Sequence, residues 1–331
     1  MIEHARPAEC SSSAANNAGY MRLSAIMPAM RERYRAAVVQ LPVEAILDPA
    51  VRDEVMALNR ARAIAAVERL AASERGALRV VVLPACFLQA PLPDRTPEAL
   101  ERVAITLPGP EIAPLIDLCR RHNLYLAGSC VERFPLLPGW YFHSGFVIGP
   151  DGVLIRAPKA QARSVPHVVV LKDRLDAYRA VAGPDALFPV VETPIGRLGV
   201  LVESEIYVPE AARALAAKGV QLLLHPTLHR PRTPPRPLEA ARRARAFENR
   251  CFVLTANHAV TEGRSPATGE RWRVPAAGGS AIAGPDGHDL AVIVGAEEGA
   301  ATATVDLGAT GGPAEEAAFT PALYRDVYCR D

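Results

Sequence analysis

The chain alternates short apolar runs with segments of helical periodicity from about Arg35 onwards, and this alternation restricts it to few folds. The apolar runs favour buried strands. These predicted strands cover residues 36–41, 80–84, 124–131, 146–149, 153–155, 188–192, 198–202, 220–224, 251–256, 280–284, 290–294 and 301–305. Apolar residues at helical spacing predict helices over residues 52–74, 109–121, 208–218 and 238–250. The pattern therefore predicts an α/β protein whose helices cover one mixed sheet or two sheets.

Residues 1–33 differ from the rest of the chain. The stretch 11–17 is small and polar and has no periodicity, so we expect an N-terminal extension over 1–33 that is disordered or loosely packed. No interdomain linker interrupts residues 34–331, which favours a single domain there.

Composition excludes several classes of protein. Half of the residues are apolar, which suffices for a large core, and the net charge of +1 gives no general attraction to nucleic acid or to a membrane surface. The sequence holds no apolar run long enough for a membrane span and no secretory leader pattern, so we expect a cytoplasmic protein. Its six cysteines form no CxxC pair, which argues against a disulfide framework or a structural zinc site.

His225 and His229 are the one pair with a spacing that would suit a metal site on a helix. Pro226 lies between them and argues against a helix there, so we interpret both as histidines of a loop or of the core. No cofactor and no metal ion are predicted.

A series of short motifs extends from Arg35 to Tyr328. These motifs lie at residues 81–87, 126–129, 149–152, 193–202, 245–249, 256–257, 278–280, 284–287 and 323–326. In order and spacing they resemble those of the nitrilase superfamily, the carbon–nitrogen hydrolases. The resemblance implies a four-layer α-β-β-α sandwich. It also implies a homodimer or a larger homo-oligomer, formed through helices near the nucleophile, here around 208–218.

The chemistry of that superfamily depends on a Glu-Lys-Cys triad, in which the thiolate attacks, the carboxylate moves protons and the ammonium stabilises the oxyanion. By resemblance the lysine is retained as Lys159. The glutamate position is Ala85, and the cysteine position is Glu203, followed by Ser204 and Glu205. Two of the three catalytic groups are therefore replaced.

Two other residues could supply a nucleophile. Cys86 adjoins Ala85, but neighbours on a strand point to opposite faces, so we expect it to be a bystander. Ser204 follows the cysteine position, and the sequence offers only Glu203 or Glu205 as a general base for its hydroxyl. Ser204, Glu205 and Glu248 are predicted to contact a bound ligand.

The substitutions conserve the charge balance of the site, because one carboxylate is lost at Ala85 and another is gained at Glu203. Our hypothesis is an ion pair between Lys159 and Glu203 in a closed former active site; the alternative is independent drift of an unused site.

Two functions remain open from the sequence. The first is a pseudoenzyme without amidase or nitrilase activity, which binds a small amide or acid or acts as a regulatory or structural partner of another enzyme. The alternative is an enzyme with altered acid/base chemistry on an amide, nitrile or carbamoyl substrate, with Glu203 as general base and Lys159 as electrostatic stabiliser.

Overall fold

A computed structural model describes residues 33–90, 96–161, 168–231, 237–311 and 320–328. Apart from Arg33, the predicted N-terminal extension lies outside these residues. The helices are α1 Arg52–Ser73, α2 Pro97–Val103, α3 Ala113–His122, α4 Leu175–Ala182, α5 Pro209–Ala217, α6 Leu238–Asn249 and α7 Pro321–Tyr328. The strands are β1 Arg33–Glu44, β2 Leu78–Val82, β3 Tyr125–Arg133, β4 Tyr141–Gly149, β5 Gly152–Pro158, β6 Val168–Val169, β7 Val190–Thr193, β8 Gly196–Val200, β9 Leu222–Pro226, β10 Phe252–Ala256, β11 His258–Arg264, β12 Arg271–Pro275, β13 Ala281–Ala283, β14 Asp289–Val292 and β15 Gly299–Asp306.

The strands form two mixed sheets. The larger has the order β12-β11-β1-β2-β3-β4-β5, with β15 also paired to β1 and β6 paired to β4. The smaller has the order β14-β13-β10-β9-β8-β7. Each sheet has a parallel centre, β1-β2-β3 in the larger and β8-β9-β10 in the smaller.

The buried side chains show how the layers stack. One apolar cluster joins Val38 and Val80 of the larger sheet to Val200 and Leu254 of the smaller, so the sheets pack face to face. The other face of the larger sheet is covered by α1 and α3, and the other face of the smaller by α5 and α6. The predicted α-β-β-α sandwich is confirmed. Its inner layer explains the apolar runs, since strands buried on both faces have few polar positions.

The predicted helices and strands recur with small shifts, and two boundaries differ for local reasons. Strand β1 was expected to end before Pro42 but continues to Glu44. Its register shifts between Leu41 and Pro42, where it pairs with β11, so proline is tolerated at an irregularity of the ladder. Helix α3 begins at Ala113 rather than near residue 109, with Pro114 in its first turn.

Several elements were not predicted, namely α2, α4, α7, β6, β11 and β12. No apolar run marks the β11–β12 hairpin, because β12 is largely exposed, with Arg271 and Arg273 among its residues, and the mostly buried β11 contains polar residues such as Thr261 and Glu262. The proline-rich loop predicted over 226–237 is described only in part; residues 227–231 have no regular structure, and 232–236 lie outside the described residues.

The topology brings the ends of parallel strands together. Segments that follow β2 and β9 touch, since the backbone N–H of Ala85 donates to the carbonyl oxygen of Thr227 at 3.3 Å. The carboxyl ends of parallel strands are the usual place for a ligand crevice in α/β proteins. In the described part of the chain, no helix combines the length and apolarity that crossing a membrane would require. The cytoplasmic location stays a prediction.

Candidate active site

Lys159 and Glu203 form the charged centre of this crevice. Lys159 directly follows β5, and its backbone N–H donates to the carbonyl oxygen of His143 at 2.9 Å. Its ammonium Nζ donates to Glu203 Oε2 at 2.8 Å. The Lys159 side chain is 9% exposed and the Glu203 side chain 27%, so the ammonium is largely buried and the carboxylate is partly accessible to solvent. The ion pair expected from the charge balance is present, although the catalytic roles of its members stay predictions.

The backbone at Glu203 projects its side chain across the crevice. Glu203 opens a short 3₁₀ helix, Glu203–Tyr207, that follows β8, and its φ of 50° lies in the left-handed region. A non-glycine residue in that region carries strain of about 1–2 kcal/mol, which is commonly found at functional sites. Fully buried His225 donates from Nε2 to the Glu203 carbonyl oxygen at 2.8 Å and so fixes this turn. Burial lowers the pKa of His225 to about 4, which leaves the imidazole neutral at neutral pH.

Glu205 connects the turn to the lysine segment. Its carboxylate accepts hydrogen bonds from the backbone N–H groups of Ala160 at 2.7 Å, Gln161 at 3.1 Å and Val202 at 2.9 Å. Burial raises the pKa of Glu205, and the three N–H donors and the charge of Lys159 oppose that rise. The carboxylate holds together the two segments that carry Lys159 and Glu203, and its contact with a ligand stays a prediction.

Sequence reasoning missed the histidine at the centre of the site. His143 lies on β4, and its Nδ1 is 3.6 Å from Glu203 Oε2. Its Nε2 is 2.8 Å from Ser129 Oγ and 3.4 Å from Cys86 Sγ. The strand was predicted to begin at Phe146, so His143 fell outside it. Had β4 been extended, pairing with β5 would have placed His143 opposite Lys159 on the same face.

The expectation that Cys86 points away from the site is wrong. Strand β2 ends at Val82, so the alternation of side chains no longer applies at Cys86. Cys86 has a left-handed φ of 46° and lies in a turn over residues 85–89, in which its carbonyl oxygen accepts from the N–H of Gln89 at 3.0 Å and of Ala90 at 2.7 Å. This turn directs the thiol toward His143.

Ala85, at the glutamate position, is fixed through its backbone. It is fully buried, and its carbonyl oxygen accepts from Nε2 of His258 at 2.6 Å. Burial lowers the pKa of His258 to about 4, so this imidazole is a neutral donor. The methyl group of Ala85 has no acid/base chemistry, which leaves proton transfer to the other groups of the crevice.

The ligand contacts of Ser204 and Glu248 stay predictions. Ser204 lies half-buried in the Glu203 turn, and within the described part of the chain no hydrogen bond joins its hydroxyl to a base. Glu248 lies on α6, where its Oε1 accepts from Arg245 Nη1 at 2.7 Å. Arg245 Nε also donates to the carbonyl oxygen of Ile206 at 3.0 Å. Arg245 therefore stabilises the short helix that begins at Glu203.

The two histidines considered for a metal serve different contacts. His225 fixes the Glu203 turn, whereas His229 Nδ1 lies 3.4 Å from the hydroxyl of Tyr207. Over the described ranges, no three His, Cys, Asp or Glu side chains converge in a way that could hold a metal ion.

Comparison of the sequence with known families and proteins gives consistent matches. The family model for carbon–nitrogen hydrolases matches residues 35–312. Omega-amidase NIT2 of Xenopus tropicalis is 31% identical over 237 residues, which are 71% of this chain and 79% of that protein. Human omega-amidase NIT2 is 27% identical over 277 residues, 83% of this chain and 89% of that protein.

Solved structures show the same fold. The crystal structure of Saccharomyces cerevisiae Nit3, a member of the nitrilase superfamily, aligns with a TM-score of 0.62 at 19% identity and covers 93% of this chain and 98% of that chain. The crystal structure of an amidase from Nesterenkonia sp. aligns with a TM-score of 0.58 at 20% identity, over 91% of this chain and 98% of that chain.

These relatives overturn the expectation of a pseudoenzyme without amidase or nitrilase activity. Several of the relatives that match most of the chain are named omega-amidases and are therefore enzymes. The expectation was based on the three triad positions and on the interpretation of Cys86 as a bystander. It did not consider His143, which lies between that thiol and Glu203.

Proposed function

Because the chain belongs to the carbon–nitrogen hydrolase family, we propose that it is an enzyme that hydrolyses the C–N bond of a small carboxamide and releases ammonia. The observation that carries the proposal is the Lys159–Glu203 pair, a base and a cation 2.8 Å apart at a largely buried position. The relatives named omega-amidases favour an ω-amide as substrate class.

The two charged groups suit the reaction. Attack on an amide carbonyl requires removal of a proton from the attacking group, and a carboxylate such as Glu203 can take up that proton. Charge then develops on the carbonyl oxygen, and a fixed ammonium such as Lys159 stabilises it strongly where few waters screen the interaction. The backbone of Glu203, held by His225, and the anchor at Glu205 keep both groups in place before substrate binds.

A substrate panel with matched lysine variants tests the proposal. Ammonia release is measured from ω-amides, simple primary amides, N-carbamoyl compounds and nitriles, with the full chain and with Lys159→Met. We expect release from at least one ω-amide, and a loss of about 100-fold or more in Lys159→Met, as for removal of an oxyanion donor. Lys172→Ala, which removes an exposed lysine paired with Asp173, is the control and should retain full activity. Absence of ammonia from every compound would contradict the proposal.

We also propose that the enzyme is a homodimer or larger homo-oligomer, assembled at the face around residues 208–218. Tyr328 of α7 donates to Glu210 of α5 at 3.1 Å, and α7 exposes Leu323 and Val327 by 75% and 63%. Burial of such side chains against a second copy would remove apolar surface from water. Light scattering after gel filtration should give at least twice the chain mass, and Val327→Glu should reduce it. A monomer at micromolar concentration would contradict this proposal.

A further inference from the structure

Four polar side chains of the crevice form a continuous chain of contacts that ends at a thiol. Lys159 Nζ is 2.8 Å from Glu203 Oε2, which is 3.6 Å from His143 Nδ1. On the far side of the ring, His143 Nε2 is 3.4 Å from Cys86 Sγ. A nucleophile, an imidazole and a carboxylate in that order are the arrangement that activates a cysteine or serine for attack on a carbonyl.

We propose that Cys86 is the nucleophile of the amide hydrolysis, that His143 is its general base, and that Glu203 orients the imidazole. This inference rests on the proposed function. The attacking group is then the Cys86 thiol, and the group that takes up its proton is His143 in place of Glu203. In this arrangement Glu203 orients the imidazole instead of taking up the proton itself, and Lys159 holds the carboxylate in place.

The backbone favours Cys86 for this role. Cys86 and Glu203 both have a left-handed φ, at 46° and 50°, and each lies in a turn after the last strand residue of β2 or β8. Strained residues on turns that follow a strand project their side chains out of the sheet, as nucleophile turns of hydrolases do. Two such turns from different sheets meet at one imidazole, although 57 residues separate Cys86 from His143.

Ser129 contacts both the Cys86 backbone and the His143 ring and so fixes their relative position. Its hydroxyl accepts from the backbone N–H of Cys86 at 3.1 Å and lies 2.8 Å from His143 Nε2. Ser129 itself is fully buried on β3, whereas Cys86 is 8% exposed and the His143 side chain 13%. In this arrangement Ser129 is a positioning residue, and the thiol is the more exposed of the two groups.

The reaction balances without a further reactant. His143 Nε2 takes the proton of the Cys86 thiol while sulfur bonds to the amide carbon, and the carbonyl oxygen becomes an oxyanion. The C–N bond then breaks as His143 returns that proton to the leaving nitrogen, which releases ammonia and leaves a thioester. A water molecule gives a proton to His143 and attacks the thioester, and the C–S bond breaks. The sulfur recovers the proton, so one water and one amide yield one carboxylic acid and one ammonia.

The other described thiols provide internal references. Burial raises the pKa of Cys119 and of Cys251 to about 12, and that of Cys130 well above its ordinary value. These three thiols therefore stay protonated and react slowly with alkylating agents at neutral pH. A thiol that transfers its proton to an imidazole should react much faster in the same molecule.

Alkylation of the full chain by iodoacetamide, followed by peptide mapping between pH 5 and 9, tests the thiol–imidazole pair. We expect Cys86 to be modified at least tenfold faster than Cys119 and Cys251 at pH 7. His143→Gln should abolish that advantage, and Glu203→Gln should shift the pH profile of Cys86 modification. Equal rates at the three sites, or a Cys86 rate and profile unchanged in His143→Gln, would overturn the proposal.

Ammonia release separates this inference from the proposed function. Cys86→Ala should reduce release more than 100-fold, whereas the control Cys119→Ala, which removes a thiol on α3, should retain it. Release within threefold of wild type in Cys86→Ala overturns the inference and leaves the proposed function standing. No release by wild type from any amide overturns the proposed function, and the alkylation result then decides on the thiol–imidazole pair alone. A melting temperature for each variant excludes misfolding as the cause.

Discussion

The ion pair at the centre of the site has a coupling energy that can be estimated from its geometry. At the 2.8 Å between Lys159 Nζ and Glu203 Oε2, the Coulomb attraction is about 6 kcal/mol for an effective dielectric constant near 20. Transfer of both charges out of water offsets several kcal/mol of this, and the 27% exposure of the Glu203 side chain screens part of the rest. We expect a net coupling of about 2 kcal/mol, a typical value for a charged hydrogen bond.

A double-mutant cycle with Glu203→Gln and Lys159→Met measures this coupling. Glu203→Gln leaves a nearly buried ammonium without its carboxylate and should cost about 2 kcal/mol. For 331 residues the unfolding entropy is about 0.7 kcal/mol/K, so the melting temperature should fall by about 3 °C. The double variant should be less destabilised than the sum of the single variants by about 2 kcal/mol. The exposed pair Lys172–Asp173 is the control, with an expected coupling below about 0.5 kcal/mol. Additive effects within that range at Lys159 and Glu203 would refute the reasoning.

Three further predictions concern the supports of the site. Glu205→Gln turns an amide NH₂ toward one of the three backbone N–H groups that the carboxylate accepts from, so the free energy of unfolding should fall by about 2 kcal/mol. An unchanged midpoint of urea unfolding would argue against the stabilising role of this carboxylate. Burial lowers the folded-state pKa of His225 and His258 to about 4, so the stability each contributes is complete above pH 6.5 and is lost as pH falls toward 4. Each histidine should contribute about 3 kcal/mol. His225→Asn should flatten the dependence of the unfolding free energy on pH between 7 and 4.5. An equal slope in both proteins would contradict the lowered pKa of His225. Gly145→Val should cost about 2 kcal/mol or more, because a Cβ at this position would lie 2.5 Å from Val200 Cγ1 of the facing sheet; a melting temperature equal to wild type would contradict that packing.

Most strands of the two inner layers can be predicted from the sequence, because they are buried on both faces and therefore consist of continuous apolar runs. No continuous apolar run marks α2, α4 and β12, which are largely exposed, or β11, which is mostly buried but contains polar residues. The pairing of Lys159 with Glu203 followed from charge conservation between two positions, a simple physical constraint.

The thiol and the imidazole could not be predicted in the same way. The alternation argument for Cys86 assumed extended backbone, whereas a φ of 46° turns its side chain toward His143. The contact joins residues 57 positions apart, and it depends on the register of β3, β4 and β5. No local pattern encodes such a contact, so the three-position comparison led to the mistaken expectation of an inactive protein.

The most direct test of the central claim is the kcat/KM for ammonia release from an ω-amide, measured for wild type and for Glu203→Gln. We expect measurable turnover by wild type and a loss of about 100-fold or more in the variant, since the carboxylate at the centre of the site becomes a neutral amide. Equal kcat/KM values for the two proteins would show that Glu203 takes no part in the reaction.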